Sequence, residues 1–444
     1  MKGPVEGGEH GFPFTSSALD LRARHYTERE YFLSGTAHAY RAKGTWTENG
    51  KWSVAPATTA PYRTRILVRR PSDPKKFNGT VIVEWLNVSS NVDIDVDFGF
   101  EGEEIMRAGY AWVGVSAQAA GVTSTHAGTG LSLGPNSVGL RTWDPQRYGT
   151  LVHPGDAYSY DIFSQAGRAL RKHGHVDPLR GLHVKKLVAD GESQSAFRMA
   201  TYVDAIEPVA RVYDGFLIHS RNGSTAPLGD GFIGPVSTVR IRTDLKVPVF
   251  QVLTETDMFS IGPSFPPARQ PDTRRIRTWE VAGTAHADAT YLRLLYVQGT
   301  RELQGMLDLR SVFASANNGP QRYVMNAALH ELGAWVARGK QPAHGTPLTI
   351  VDGKIARDAH GNALGGIRTP QVDVPVATLT GEGASLIGKT IPFDAATLKS
   401  LYPTRQDYVR AFDRATDRAV HAEHILAVDA RTMKAVATQE QIGG

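Results

Sequence analysis

Short segments of almost wholly apolar residues recur along the first 300 residues of the chain, and helical patterns separate them. Examples are residues 62–69, 80–86, 110–116 and 184–190. A strand that is apolar on both faces belongs in a parallel sheet covered by helices on both sides. The intervening helices provide the crossover connections that parallel strands require. The sequence therefore predicts an α/β fold with a doubly wound, mainly parallel sheet, enlarged by cap or loop insertions and a C-terminal elaboration.

The same pattern divides the 444 residues into three segments. Residues 1–60 mix polar and apolar positions and are expected to be an N-terminal lead-in packed on the core. Residues 61–300 carry the strand–helix alternation and are expected to form the core itself, with a Gly/Ser/Thr-rich loop insertion at 119–153. Beyond residue 300 long helical stretches surround a turn-rich region, so residues 301–444 are expected to be a helical and β-rich elaboration of the same domain.

Composition excludes several kinds of chemistry and of partner. The chain has no cysteine, which excludes disulfides, zinc–thiolate sites, iron–sulfur clusters and a cysteine nucleophile. The net charge is only +5, from 49 basic and 44 acidic residues without a long basic run, so nucleic acid is not an expected partner. No apolar run reaches about 18 residues, so no membrane span is expected. We expect a soluble protein, either cytoplasmic or exported with its signal peptide absent from this chain, and the oligomeric state stays open.

The sharpest local motif is Gly191-Glu192-Ser193-Gln194-Ser195, placed where a buried strand ends and a helix begins. A strand–turn–helix of this kind raises a serine hydroxyl above the carboxyl edge of the sheet. The turn brings the residues two before and two after the serine against the backbone, so both must be small, as Gly191 and Ser195 are. Ser193 is therefore a candidate nucleophile. A plain helix N-cap is the alternative interpretation of the same serine.

A serine nucleophile needs a base and an acid, and in this kind of sheet they follow the serine in the order acid, then histidine. The strand at 247–253 is followed by Glu255 and Asp257, and the strand at 278–281 is followed by His286 among small residues. Loops at the carboxyl ends of parallel strands meet at one edge, where sites are built. We therefore expect His286 as the base and Asp257 as the acid, with Glu255 as the alternative acid.

An oxyanion hole needs convergent N–H donors. The residue after the nucleophile supplies one, which here is the amide of Gln194 at the start of a helix. The loop after the strand at 80–86 is expected to supply the other, through the backbone amide of Leu86 or Asn87. An ordinary strand-to-helix connection is the alternative interpretation of that loop.

No cofactor and no metal is expected. Residues 383–390 spell the phosphate-loop pattern G-x-x-x-x-G-K-[ST], but Pro392 follows closely, where that motif needs a helix. His173 and His175 are close enough in the chain to share a metal, but the sequence offers no well-placed third ligand for them. Solvated histidines are the simpler interpretation.

Taken together, several motifs resemble the α/β-hydrolase superfamily, and more narrowly a bacterial group known only as alpha/beta hydrolase domain-containing proteins. The resemblance covers most of the chain. Its motifs are Glu30-Tyr31-Phe32-Leu33-Ser34-Gly35-Thr36-Ala37, Val83-Glu84-Trp85-Leu86-Asn87-Val88-Ser89, Gly109-Tyr110-Ala111-Trp112-Val113-Gly114-Val115-Ser116-Ala117-Gln118, Gly191-Glu192-Ser193-Gln194-Ser195-Ala196, Thr254-Glu255-Thr256-Asp257, Gly283-Thr284-Ala285-His286 and Gly365-Gly366-Ile367-Arg368-Thr369-Pro370. Ser195 departs from the superfamily pattern, which usually has a second glycine there, but serine is small too.

The resemblance implies a serine hydrolase that cleaves carboxylic esters of small molecules through a Ser-His-acid triad and an acyl-enzyme intermediate. It implies no particular substrate. The same triad also serves thioesterases, lactonases, amidases and acyltransferases, which stay open as alternatives. A non-catalytic binding protein that retains the fold is the remaining alternative.

Overall fold

The computed structural model of the chain describes residues 1–125, 133–134, 136–172, 174–306, 308–383, 386–440 and 442. An eight-stranded sheet forms its centre. In chain order the strands are β1 (Tyr26–Ala42), β2 (Val54–Pro71), β3 (Thr80–Trp85), β4 (Ala111–Val115), β5 (Lys186–Glu192), β6 (Gly215–His219), β7 (Val249–Thr254) and β8 (Ile276–Val281). Across the sheet they are ordered β1-β2-β4-β3-β5-β6-β7-β8.

Most neighbours in this sheet are parallel. Each adjacent pair from β4 through β3 and β5 to β8 runs in the same direction. Only β2 runs against its neighbours, β1 and β4. The chain places β4 on one side of β3 and β5 on the other, so the order reverses at β3, and such a switch point opens a crevice at the carboxyl ends of the strands. The predicted fold class, a mainly parallel α/β sheet, is confirmed.

Helices link the strands and cover both faces of the sheet. The first group is α1 (Val96–Arg107), α2 (Ala119–Thr123), α3 (Leu140–Trp143), α4 (Pro145–Tyr148), α5 (Ser159–Leu170), α6 (Gln194–Thr201), α7 (Glu207–Ala210) and α8 (Glu255–Phe259). The second group is α9 (Ala289–Glu302), α10 (Arg310–Phe313), α11 (Gln321–Arg338), α12 (Pro370–Asp373), α13 (Ala395–Leu401), α14 (Arg405–His421) and α15 (Ala427–Ala437). Tighter 3₁₀ turns lie at Pro74–Lys76, Asp156–Tyr158 and Pro266–Ala268, and a π turn at Tyr202–Ile206 joins α6 to α7.

Alternate residues of the central strands point into two separate cores. Val81 and Val83 of β3 pack with residues of α5 and α6 on one face. Ile82 packs with residues of α1 and α11 on the other face. All three side chains are fully buried, which explains why β3 is apolar throughout instead of alternating.

The sheet extends further towards the N-terminus than the apolar pattern indicates. The first strand was expected at residue 62, but β2 begins at Val54, and β1 pairs with it along nearly its whole length. The apolar pattern does not reveal β1, because this strand carries glutamate, arginine, threonine and histidine. Some of these polar side chains are nevertheless buried, because arginines distant in the sequence offset their charge. Glu30, for example, is paired with Arg65 and Arg147. The residues before position 60 therefore contribute an edge strand to the central sheet.

The C-terminal part joins the other edge of the sheet. The backbone amide of Ile367 donates to the carbonyl of Glu280 in β8 over 2.7 Å. Two small hairpins lie nearby, β9 (Ile350–Val351) with β10 (Lys354–Ile355), and β11 (Ala377–Thr380) with β12 (Lys389–Pro392). The phosphate-loop pattern at 383–390 thus ends in a strand, and its residues 384–385 lie outside the described part of the chain. The last helices, α14 and α15, pack on each other around a core of their own.

Candidate active site

The turn between β5 and α6 holds Ser193 in an unusual backbone conformation. Its φ is 57° and its ψ is −121°, a region that a residue with a side chain adopts only when its surroundings impose it. The amide of Ser193 donates to the carbonyl of His219 over 3.0 Å, which anchors the turn to β6. A Cβ atom on Gly191 would lie 3.1 Å from Cβ of Ser195, so the tightness of the turn accounts for the glycine. The expected strand–turn–helix is present at this position.

Three of the side chains selected from the sequence form one hydrogen-bonded chain. Oγ of Ser193 lies 2.7 Å from Nε2 of His286, and Nδ1 of His286 lies 2.9 Å from Oδ1 of Asp257. The three residues follow the carboxyl ends of β5, β8 and β7, which meet at one edge of the sheet. An imidazole held between a hydroxyl and a carboxylate in this way can withdraw the hydroxyl proton.

The carboxylate of Asp257 is held on its far side as well. Its Oδ2 accepts from the backbone amide of Thr254 over 2.7 Å and from the Thr254 hydroxyl over 2.9 Å, within the capping box that begins α8. The side chain is completely buried. One oxygen is therefore fixed by the helix start, and the other is left to face the imidazole of His286.

Glu255, the alternative acid, faces the C-terminal region instead. Its carboxylate accepts from the amides of Gly283 over 2.6 Å and Gly381 over 3.1 Å, and it pairs with Arg357 at 2.8 Å. Burial raises the pKa of Glu255, and Arg357 opposes that rise. The structure therefore brings Asp257, and not Glu255, to His286.

The expected backbone donors from the loop after β3 are already occupied. The amide of Leu86 donates to the carbonyl of Val115 over 3.3 Å, and the amide of Asn87 donates to the carbonyl of Ile94 over 3.0 Å. The expectation that Leu86 or Asn87 offers its amide to an oxyanion is thus wrong, because both amides close the loop onto neighbouring backbone. The amide of Gln194 lies in the first turn of α6, where amides have no partner within the helix.

One side chain at the site was missed from the sequence. Glu192, just before the candidate nucleophile, places Oε1 at 3.1 Å from Nε2 of His286. Nδ2 of Asn87 donates to the Glu192 carbonyl over 3.2 Å and approaches its carboxyl at 3.4 Å. Burial, reinforced by Asp97 and Asp257, raises the pKa of Glu192 well above its usual range. Its place in the motif was a signal, but the sequence does not reveal that this side chain turns towards the histidine.

The remaining features concern metal binding, cavities and membrane-spanning helices, apart from the hydrogen-bonded Ser193, His286 and Asp257. Among the described residues, no group of three histidine or acidic side chains is arranged to hold a metal, and His173 lies outside them. A cavity of about 540 Å³ lies between α1, α9, α11 and the C-terminal helices, and its lining includes neither Ser193 nor His286. In the part of the chain that the structure describes, no helix has the length and apolarity needed to cross a membrane.

A family model described as an alpha/beta hydrolase domain matches residues 1–435. The chain belongs to this alpha/beta hydrolase family. The resemblance noted from the sequence motifs is thereby confirmed for nearly the whole chain, and the assignment supports a hydrolase. No curated protein sequence matches the chain.

Solved structures of hydrolases match parts of the chain at low identity and low TM-score. An alpha-beta serine hydrolase homologue from Coxiella burnetii is 11% identical, over 54% of this chain and 90% of that one, with a TM-score of 0.28. One of two fungal esterases from Rhizomucor miehei is 10% identical, over 67% of this chain and 92% of that one, with a TM-score of 0.29. Prolyl oligopeptidase B from Galerina marginata is 12% identical over 69% of this hydrolase, with a TM-score of 0.29, and the match spans only 36% of that longer protein.

Proposed function

We propose that this hydrolase cleaves carboxylic esters of small molecules, with Ser193 as nucleophile, His286 as base and Asp257 as the acid of the triad. The observation that carries the proposal is the hydrogen-bonded chain from Oγ of Ser193 through His286 to Asp257, with contacts of 2.7 Å and 2.9 Å. Its members come from three separate strand ends, and the order along the chain is the one this fold requires.

The reaction would proceed in two steps. Nε2 of His286 takes the proton of Ser193 while Oγ attacks the ester carbonyl, and the imidazolium then gives that proton to the departing alkoxide. Asp257 holds the histidine tautomer with the proton on Nδ1 and stabilises the imidazolium. Water activated by the same imidazole then cleaves the acyl-enzyme, which releases the acid and restores Ser193.

The developing oxyanion needs donors close to Ser193. We assign the backbone amide of Gln194 to this role, because it follows the nucleophile directly and lies at the positive end of the α6 dipole. Loss of one such donor costs about 3 kcal/mol of transition-state stabilisation in comparable sites. The proposed chemistry uses only side chains and amides of this chain.

The test is labelling with a fluorophosphonate probe, together with turnover of an ester such as an aryl acetate. We expect the wild-type protein to be labelled at Ser193, and Ser193→Ala to lose labelling and to lose at least about 10⁴-fold in kcat. Ser195→Ala is the matched control, since it removes a hydroxyl two residues away that is buried and faces no partner among the described residues.

Two results would contradict the proposal. Turnover by Ser193→Ala within a few-fold of wild type would exclude Ser193 as the nucleophile. A wild-type protein that the probe does not label would support the non-catalytic alternative. Parallel assays with thioester, lactone and amide substrates, and with an alcohol as acyl acceptor, then show which carbonyl chemistry the triad serves.

A further inference from the structure

The reacting nitrogen of the histidine faces two oxygens, and the steps proposed above use only one of them. Nε2 of His286 lies 2.7 Å from Oγ of Ser193 and 3.1 Å from Oε1 of Glu192. The Glu192 side chain is almost completely buried, at 4% exposure. A carboxyl group at this position can influence the transfer of the proton from Ser193 to His286.

The surroundings of Glu192 are acidic on one face of the sheet. Parallel strand pairing places Glu84 beside Asp190 and Glu192 beside His219. Helix α1 lies over this face and contributes Asp97, whose Oδ1 is 2.8 Å from Nδ1 of His219. We call this group the acid cluster, and its members are Glu84, Asp97, Glu101, Asp190, Glu192 and His219.

The acid cluster lacks the cations that usually accompany buried carboxylates. Among the ion pairs of the described residues, none joins an arginine or lysine to a member of the acid cluster, and neither oxygen of Asp190 or Glu101 has a hydrogen-bond donor. Buried acids without cations keep their protons, because ionisation in a poorly polarisable interior is costly. The pKa values of Glu84, Glu101, Asp190 and Glu192 are all raised well above their usual range, first by burial and then by the neighbouring carboxylate of Asp97.

The charge of Glu192 matters because the imidazole already has one carboxylate partner. Asp257 faces Nδ1 of His286, and Glu192 faces Nε2. If both carboxyls were ionised, the ring between them would hold two protons and remain an imidazolium. Such a ring has no lone pair with which to take the proton of Ser193, so the serine would stay inactive.

We propose that Glu192, held in its neutral form by the acid cluster, is a second catalytic partner of His286. This inference rests on the proposed function of the triad. When the proton of Ser193 moves to Nε2, Oε1 of Glu192 accepts a hydrogen bond from the new N–H and steadies the imidazolium. The same proton then passes to the leaving alkoxide, and Glu192 keeps its own proton throughout.

Groups from every element around Glu192 bear on this charge state. They are Glu84 on β3, Asn87 in the loop after β3, Asp97 on α1, His219 on β6, Asp257 on α8, His286 after β8 and Tyr291 on α9. The acids among them oppose ionisation of Glu192. The side-chain hydrogen bond from Asn87 favours the ionised form, and burial together with the neighbouring acids opposes it.

Two substitutions at Glu192 separate charge from hydrogen bonding. Glu192→Gln removes the titrating proton but keeps an oxygen, whereas Glu192→Leu removes the acceptor. We expect the acid limb of kcat/KM against pH to stay within about half a pH unit of wild type in Glu192→Gln. We expect Glu192→Leu to lower kcat by about tenfold to a hundredfold, the worth of one hydrogen bond to a charged group, with KM little changed. Asp417→Asn, an exposed surface change on α14, is the control.

Opposite results overturn the inference. A downward shift of the acid limb by about one pH unit or more in Glu192→Gln would mean that Glu192 is an anion in the wild type. A kcat of Glu192→Leu within twofold of wild type would mean that Oε1 does not support the imidazolium. Labelling of wild-type Ser193 by the fluorophosphonate probe shows separately that the triad functions.

A direct readout keeps the two proposals distinguishable. The ring protons of His286 can be followed by NMR against pH in wild type and in Glu192→Gln, with or without turnover. Equal pKa values in the two proteins support a neutral Glu192, and a lower value in the variant contradicts it. Failure of labelling with equal His286 titrations would thus reject the triad function while leaving the charge state of Glu192 supported.

Discussion

Two buried, acid-rich regions of this hydrolase differ in one respect, the presence of arginine. The first lies between β1, β2 and the loop after β3, and we call it the arginine-paired cluster. Its members are Glu28, Glu30, Arg65, Arg69, Asp93, Asp95 and Arg147. There Arg65 lies 2.7 Å from Asp93, and Arg147 lies 2.7 Å from Glu30. The acid cluster beneath Ser193 has a comparable number of carboxyls and only a histidine to accompany them.

The difference shows how one fold uses buried acids in two ways. In the arginine-paired cluster, burial raises the pKa of Glu30 and Asp95, but the arginines oppose that rise. Those ion pairs tie the polar edge strands to the sheet. In the acid cluster no arginine or lysine opposes the effect of burial, and the pKa values of Glu84, Glu101, Asp190 and Glu192 are raised well above their usual range. Only the second arrangement leaves groups near the candidate active site whose charge can respond to a neighbouring proton.

Asp257 is intermediate between the two clusters, because its partner is a cation only during the proposed reaction. Its partner, His286, is neutral at rest in the proposed mechanism and becomes a cation only when it takes the proton of Ser193. Glu255, two residues away, has a permanent cationic partner in Arg357 at 2.8 Å. In the proposed mechanism the catalytic acid is therefore Asp257, beside His286, whereas Glu255, beside Arg357, supports the structure.

The largest expected effect comes from exchanging these two carboxylates for amides. Asp257→Asn should lower kcat by about 10³- to 10⁴-fold, because the amide favours the wrong histidine tautomer and gives no charge to the imidazolium. Glu255→Gln should lower kcat by less than about tenfold and instead destabilise the fold, because it removes the buried charge that pairs with Arg357. Steady-state kinetics and thermal melting of both variants measure this. Equal losses of kcat would remove the distinction between the two acids.

A second, smaller effect is expected in the arginine-paired cluster. Arg65→Met should destabilise the protein by about 3–5 kcal/mol, because it leaves Asp93 and Glu30 buried with less compensation. Denaturant unfolding measures the change. The control is Arg310→Met, which breaks an exposed pair with Asp308 and should leave stability unaltered. A loss below about 1 kcal/mol for Arg65→Met would show that these acids, too, are protonated.

The sequence predicted the sheet better than the partners of its polar residues. The apolar run at 247–253 nearly coincides with β7, since a strand buried on both faces is visible locally. β1 was missed because its buried polar side chains depend on distant residues, such as Arg65, 35 positions after Glu30. The choice between Asp257 and Glu255 depended in the same way on Arg357, which lies 102 residues beyond Glu255. The sequence also could not show that the amides of Leu86 and Asn87 are occupied. The local pattern does not reveal which carbonyl accepts from a loop amide.

The smallest expected effect concerns pH and the acid cluster. The raised pKa of Asp190 means that the folded protein keeps a proton that the unfolded chain releases above about pH 4. This stabilising contribution is fully present below that pH and is lost as the pH rises towards the folded-state pKa. Asn at this position cannot titrate, so Asp190→Asn should lose less stability between pH 5 and pH 8 than wild type does, by about 1 kcal/mol or more.

Melting temperatures at the two pH values measure this difference, and the variant should be the more stable protein at pH 8. Asp417→Asn, at an exposed position on α14, should decline with pH as wild type does. An equal decline in Asp190→Asn and wild type would mean that Asp190 is ionised in the fold, the state that arginine partners favour for Glu30 and Asp95 in the arginine-paired cluster. The two clusters would then differ in their partners but not in their charge, and a neutral Glu192 beside His286 would lose the acids that keep it neutral.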